Sequence, residues 1–448
     1  MKRPSYRITG GGIAIAAVIA AGVAWYVHGP GPIDFSQGPK VALSEYKAAD
    51  PTGVPATMAQ AGLVERGEYL ARAADCMVCH TAPGAKEYTG GFAFKLPFGT
   101  LYSTNITPDK ETGIGNYTDQ DFLNAVRRGK RHDGARLYPA MPYTSYTYMT
   151  DSDVLAVKAY LFSLPPVISK PPVNTLAFPF NQRWAMTFWS AFFNPDTRFQ
   201  PDTSMSPEWN RGAYLVEALA HCGECHTPRN IGFALDNRKK FGGALTAGWR
   251  AFNISSDTKA GLGGWSDDDI VSYLSVGHAK GHGTASGPMG EAVDHSFSKL
   301  TAPDIKAMVS FLRSVPAVTS PDLPDTLAPR APPSHKEGMT ANALGKSVFE
   351  GACVSCHGWT GESSISPMAT LTGAWAVNDP GATNVAQIVI SGTKRYTPSG
   401  ALSMPSFGNS HSDAEIAAVA NYVTARFGSK GSKVTEKDVA TLRKQAGQ

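Results

Sequence analysis

Three stretches of this 448-residue chain carry apolar side chains at helical spacing behind a polar start. Thr150-Asp151-Ser152-Asp153 precedes Val154, Val157 and Leu161. Thr301-Ala302-Pro303-Asp304 precedes Ile305, Met308, Val309 and Leu312, and Ser412-Asp413-Ala414-Glu415 precedes Ile416, Val419, Ala420 and Val423. The i, i+3, i+4, i+7 pattern places one apolar stripe on each helix, and a hydroxyl three residues ahead of an acid is a capping-box start. Middle helices are predicted from Thr118, with Asp121 following, and from Ser266, with Asp269 following. Upstream lie Arg66-Gly67-Glu68-Tyr69-Leu70, Arg211-Gly212-Ala213-Tyr214-Leu215 and a looser version, Gly345 with Val348 and Phe349. Each reads as a short leading helix, so the chain is a threefold repeat.

Other stretches break the pattern. Behind Lys2, Arg3 and Arg7, an uncharged, mostly apolar run extends from Ile8 to Val27 and ends at Trp25 and Tyr26. It predicts an export signal retained as a transmembrane anchor, because about 20 residues span the hydrocarbon core and Ala20-Ala21-Gly22 is a poor cleavage site. The basic flank places the bulk of the chain on the periplasmic side of a bacterial inner membrane. Residues 166–206 hold Phe178, Phe180, Trp184, Phe188, Trp189, Phe192 and Phe193. The segment Gln182 to Phe193 predicts a helix with an aromatic face, which either packs on its own domain or meets a partner subunit or the membrane. Residues 317–338 form a proline-rich spacer and 429–448 a polar tail. The expected units are an anchor or signal at 1–31 and helical domains at 60–165, 207–316 and 339–428.

Composition narrows the chemistry. The net charge is +4, the charged fraction is 17%, and no basic cluster interleaves with aromatics, which excludes nucleic acid as a partner. All six cysteines fall in three C-x-x-C-H boxes, Cys76–His80, Cys222–His226 and Cys353–His357. Two thiols can add to haem vinyl groups while the adjacent imidazole ligates iron. A zinc site needs two pairs close in sequence or a trailing histidine pair, and a thioredoxin-type site needs a βαβ setting. Here the pairs lie 146 and 131 residues apart. Three covalently bound haem c groups are therefore expected, held by Cys76, Cys79, Cys222, Cys225, Cys353 and Cys356 and ligated by His80, His226 and His357.

The sixth ligand sets the chemistry, since an open iron favours ligand binding and methionine favours electron transfer. Met141 in Tyr138-Pro139-Ala140-Met141-Pro142, Met289 in Gly287-Pro288-Met289-Gly290 and Met404 in Leu402-Ser403-Met404-Pro405 each precede a closing helix. They follow the second box cysteine by 62, 64 and 48 residues. Met149 and Met308 suit core packing, and Met368 is a weaker rival to Met404. Eight histidines lie outside the boxes, of which His278 and His282 are the credible alternatives to Met289. No Ser-His-Asp, H-E-x-x-H or phosphate-loop pattern suggests independent catalysis.

The repeats resemble class I cytochrome c domains, which implies a mainly α fold of three tandem domains behind the N-terminal transmembrane helix. The resemblance also implies that a glycine on each first helix meets an aromatic on each last: Gly67 with Tyr160, Gly212 with Phe311, Gly345 with Tyr422. Pro97-Phe98-Gly99-Thr100-Leu101-Tyr102-Ser103-Thr104-Asn105-Ile106-Thr107-Pro108-Asp109 and Leu137–Tyr143, with Gly287-Pro288-Met289, extend it. These resemble three-haem cytochrome c subunits of membrane-bound bacterial dehydrogenases. That resemblance implies a non-catalytic electron-transfer subunit of the respiratory chain that passes electrons to ubiquinone. The implied partner is a catalytic dehydrogenase of molybdopterin, quinoprotein (PQQ) or flavin type, with a small iron–sulfur subunit where the molybdopterin type applies. The termini favour the aldehyde over the alcohol dehydrogenase type. The rival expectations are a peroxidase-type haem enzyme with one open iron and a stand-alone or oxidase-associated cytochrome.

Overall fold

A computed structural model describes residues 17–25, 35–319, 342–397, 400–429 and 431–446. The basic flank, most of the expected anchor and of the proline-rich spacer, His28 and His335 lie outside them. Residues 17–25 are helical, with Val18, Ile19, Val23 and Trp25 exposed. Among the described residues no helix is long and apolar enough to cross a membrane.

Each repeat begins with a leading helix: Leu63–Ala73, then Pro207–Ala213, then Ala343–Val348. The second and third run on through π turns at Tyr214–Leu219 and Phe349–Cys353. Closing helices span Asp151–Ser163, Ala302–Ser314 and Asp413–Phe427, and middle helices span Asp119–Arg128, Asp267–Val276 and Thr383–Ser391. Small antiparallel hairpins fill the loops, including Ala93–Leu96 with Gly99–Tyr102 and Thr393–Thr397 with Gly400–Met404.

Leading and closing helices cross at a glycine in every repeat. A methyl group built on Gly67 would land on the carbonyl oxygen of Ala156 and 2.9 Å from Tyr160 Cβ. On Gly212 it would land on the Ala307 carbonyl and 2.9 Å from Phe311 Cβ. On Gly345 it would likewise land on the Ala418 carbonyl, one turn before Tyr422, with Asn342 Nδ2 next at 2.8 Å.

Two of the expected capping boxes are used otherwise. Thr150 caps its helix by accepting the Asp153 N–H, but the Asp153 carboxylate accepts from Gly53 N–H and from Tyr214 Oη of the second repeat. Thr301 makes no side-chain cap, and Asp304 accepts from Tyr69 Oη of the first repeat at 2.6 Å and from Arg211. The first two repeats are thus tied reciprocally, each leading-helix tyrosine to the other's closing-helix aspartate. Arg211 also donates to the carbonyls of Pro51 and Gly53, fastening the segment ahead of the first repeat. In the third repeat Leu344 and Ser347 replace the arginine and tyrosine, and Ser412 and Glu415 keep a full capping box. Full boxes also start the helices at Thr118 and Ser266.

Consequently repeats one and two, expected as separate domains, bury one common core. The third has its own, and lends Trp375 to the first. The expected polar tail contains the helix Glu436–Ala446, which buries Val439 against this third core. Tyr214→Phe leaves the buried Asp153 short of a donor. It is expected to lower unfolding stability by about 1–3 kcal/mol, measured by chemical denaturation of the haem-loaded chain, while the matching Ser347→Ala is neutral.

Candidate haem sites

Each box coils into one helical turn: Cys76–Cys79, Gly223–His226 and Val354–His357. The residues before the first two boxes, Asp75 and His221, adopt left-handed backbone at φ 52° and 40°. All six thiols are free. Burial pushes the Cys76 and Cys222 thiols up to about 12 and those of Cys225 and Cys353 to about 11. Among the described residues no three His, Cys, Asp or Glu side chains converge on a metal-binding point.

The box histidines share one geometry. His80 Nδ1 lies 2.7 Å from the Thr104 carbonyl, His226 Nδ1 2.6 Å from that of Phe252, and His357 Nδ1 2.6 Å from that of Ala369. A carbonyl only accepts, so Nδ1 carries the proton in all three rings. Nε2 is left with a lone pair and, among the described residues, with no hydrogen bond. Burial lowers the proton affinity of each ring, against an opposing contribution from the carbonyl. A neutral imidazole with Nδ1 anchored and Nε2 open is the state that iron ligation requires. The donors therefore fit covalent haem: two thiols on one turn, and an oriented imidazole beside them.

The acceptors are backbone groups and were missed in the sequence. A signal existed beside two of them. Asn105-Ile106-Thr107 and Asn253-Ile254-Ser255 follow Thr104 and Phe252, and both asparagines are buried. Asn105 Nδ2 donates to the Val167 carbonyl and Asn253 Nδ2 to that of Val318, pinning each acceptor loop to the chain beyond the closing helix.

Met141 sits in a tight turn, its N–H bonded to the Tyr138 carbonyl, and packs half-buried against the common core. Met404 ends a strand and packs half-buried against the third core. Met289 is not in a loop; it lies in the first turn of the helix Gly287–His295, half-buried against the common core. Met149 and Met308 are core residues. Met368 lies in the turn Pro367–Ala369, and its carbonyl accepts from Thr284 Oγ1. His278 Nδ1 is 2.9 Å from Thr284 Oγ1. His282 stacks on Trp265 at 3.9 Å and faces Asp269 at 3.6 Å.

Boxes one and two adjoin. Tyr146 Oη donates to the Ala74 carbonyl at 2.5 Å, and its ring meets the His221 ring edge-on at 5.4 Å. Thr144 and Ser145 donate to Glu224, inside the second box. Repeats two and three meet through Arg395, which is 2% exposed and follows the third repeat's middle helix. It donates to the Gly290 carbonyl at 2.7 Å and the Val276 carbonyl at 3.2 Å, and pairs with Asp294 at 2.9 Å. One guanidinium therefore joins the hairpin ending at Met404 to the helix bearing Met289. Arg395→Gln strands the Asp294 carboxylate and is expected to cost about 3–5 kcal/mol by denaturation, with Arg395→Lys costing less.

Small helical units that present a thiol pair beside an oriented imidazole have the layout of cytochrome c domains. The cytochrome c family profile matches residues 64–165, and that of cytochrome c oxidase cbb3-type subunit III matches residues 340–423. The chain is 38% identical to a fructose dehydrogenase cytochrome subunit of Gluconobacter japonicus, covering 88% of this chain and 85% of the relative. It is 39% identical to a gluconate 2-dehydrogenase cytochrome c subunit of Pantoea cypripedii, covering 85% and 90%. It is 37% identical to the cytochrome c subunit of a quinone alcohol dehydrogenase of Gluconobacter oxydans, covering 86% and 83%. The chain belongs to this family of dehydrogenase cytochrome c subunits, and electron transfer is its work.

Proposed function

We propose that the chain binds three haem c groups, one per box, and relays electrons from a catalytic dehydrogenase partner to ubiquinone at the bacterial inner membrane. Cys76 with Cys79, Cys222 with Cys225 and Cys353 with Cys356 hold them. His80, His226 and His357 supply one axial ligand and Met141, Met289 and Met404 the other. The observation that carries this reading is the Nδ1–carbonyl bond, repeated at all three boxes.

Bound haem supplies reversible one-electron storage. The chain's own residues orient each imidazole through Thr104, Phe252 and Ala369, and keep water out with the common and third cores. The adjoining first and second boxes and the Arg395 junction hold the three sites in one array. The N-terminal apolar run is the anchor in this reading, with the haem domains periplasmic. The relatives serve fructose, gluconate and alcohol dehydrogenases, so the partner is read as a dehydrogenase without choosing among the flavin, quinoprotein and molybdopterin types or requiring an iron–sulfur subunit.

Purifying the intact complex from membranes and adding the partner's substrate tests the relay. The haems are expected to be reduced first and reoxidised on adding a short-chain ubiquinone. Quinone reduction that proceeds at an unchanged rate after this chain is stripped away contradicts it.

A further inference from the structure

The aromatic helix between the first two repeats has two faces. Trp189 donates its indole N–H to the Gly232 carbonyl at 2.7 Å, and Ser190 is buried, so this side packs inward. Trp184, Phe188 and Phe192 recur every fourth residue on the other side and remain 65%, 68% and 53% exposed. The stripe continues beyond the helix. Phe180 stacks on Phe98 at 3.9 Å, and both rings meet Phe233 edge-on. Phe178, Ile231 and Phe233 are also exposed.

A cationic rim borders this stripe. Outside the buried Arg127, segments 128–136 and 178–198 hold six Lys or Arg and two Asp; Arg131 pairs with Asp133, and Arg128 and Arg198 with Asp196, which leaves Lys130, Arg136 and Arg183 without an acid partner among these segments. The two segments are bonded at both ends of the helix. Asn194 Nδ2 donates to the Arg127 carbonyl at 2.9 Å, and Arg183 donates to the Arg136 carbonyl at 2.8 Å. Lys130 is exposed and Arg128 half exposed beside its partner Asp196. Residues 184–193 contain no charged side chain.

We propose that this face seats the protein on an anionic lipid surface, the aromatic stripe entering the headgroup–acyl boundary and the rim meeting phosphate groups. Order of chemistry favours lipid over a protein partner: an uncharged Trp/Phe stripe flanked by Lys and Arg matches an acyl layer flanked by anionic headgroups. The seat deepens the membrane association proposed above but does not depend on the N-terminal segment, whose residues 17–25 form a separate exposed apolar element.

The test uses the full-length holoprotein with vesicles of phosphatidylcholine and phosphatidylglycerol in which one acyl chain bears a photoactivatable diazirine. Cross-links are expected at Trp184, Phe188 and Phe192. They should fall several-fold in pure phosphatidylcholine, in Lys130→Glu, and in Phe188→Ser/Phe192→Ser with haem content unchanged. Labelling of residues 17–25 without labelling of 178–193 overturns this seat while leaving membrane association standing. Loss of the 178–193 labels when the complex with the catalytic partner is used also overturns it, assigning the face to that protein.

Discussion

Gly212→Val is expected to leave almost no haem-loaded protein. At this crossing a β-carbon would collide with the Ala307 carbonyl, a backbone group that moves only if the closing helix moves. The two helices would have to part within the core that the first two repeats share. Overpacking costs about 1–3 kcal/mol even where side chains can adjust, and here the obstacle is backbone. The matching control is Gly351, in the third repeat's π turn, which has nothing within 4 Å of a built methyl group. Gly351→Ala should preserve haem content and Tm, since alanine favours helical backbone by about 1 kcal/mol over glycine. Haem content per chain and Tm, measured on both variants, check the contrast.

The second large effect is expected at Met404. It ends the hairpin strand Gly400–Met404 and packs half-buried against the third core. Met404→Ala should open one iron of three, so the reduced chain binds one carbon monoxide where the natural chain binds none. The third repeat's potential should fall with loss of its sulfur ligand. Arg395→Gln should disturb the same site without removing the thioether, weakening the methionine–iron charge-transfer absorption. Equal carbon monoxide binding by Met404→Ala and the natural chain would mean that this methionine is no ligand.

The features legible in the sequence were local ones. The boxes, the helix starts at Thr118, Ser266 and Ser412, and the closing-helix stripes depend on neighbours within one or two turns. The glycine crossings at Gly67, Gly212 and Gly345 followed from the family resemblance. The reciprocal tyrosine–aspartate ties were hidden because Thr150-x-x-Asp153 and Thr301-x-x-Asp304 look like ordinary caps. Their acids serve residues 61 and 235 positions away, Tyr214 and Tyr69. A hint lay in the repeats themselves: the third lacks the arginine and tyrosine and has glutamate in place of aspartate. Arg395 gave no local sign, since its partners at Val276, Gly290 and Asp294 come from the preceding repeat. The helical placement of Met289 was missed because glycine and proline around it read as loop, whereas proline in a helix's first turn gives up no needed N–H.

Relay through this chain requires covalent haem at every box. A pyridine haemochrome assay against protein concentration, on the denatured and extracted full-length chain, measures this directly. Three haems per chain are expected, falling to two when both cysteines of any one box are replaced by alanine. Two or fewer in the natural chain, or no change on replacing a box, would contradict it.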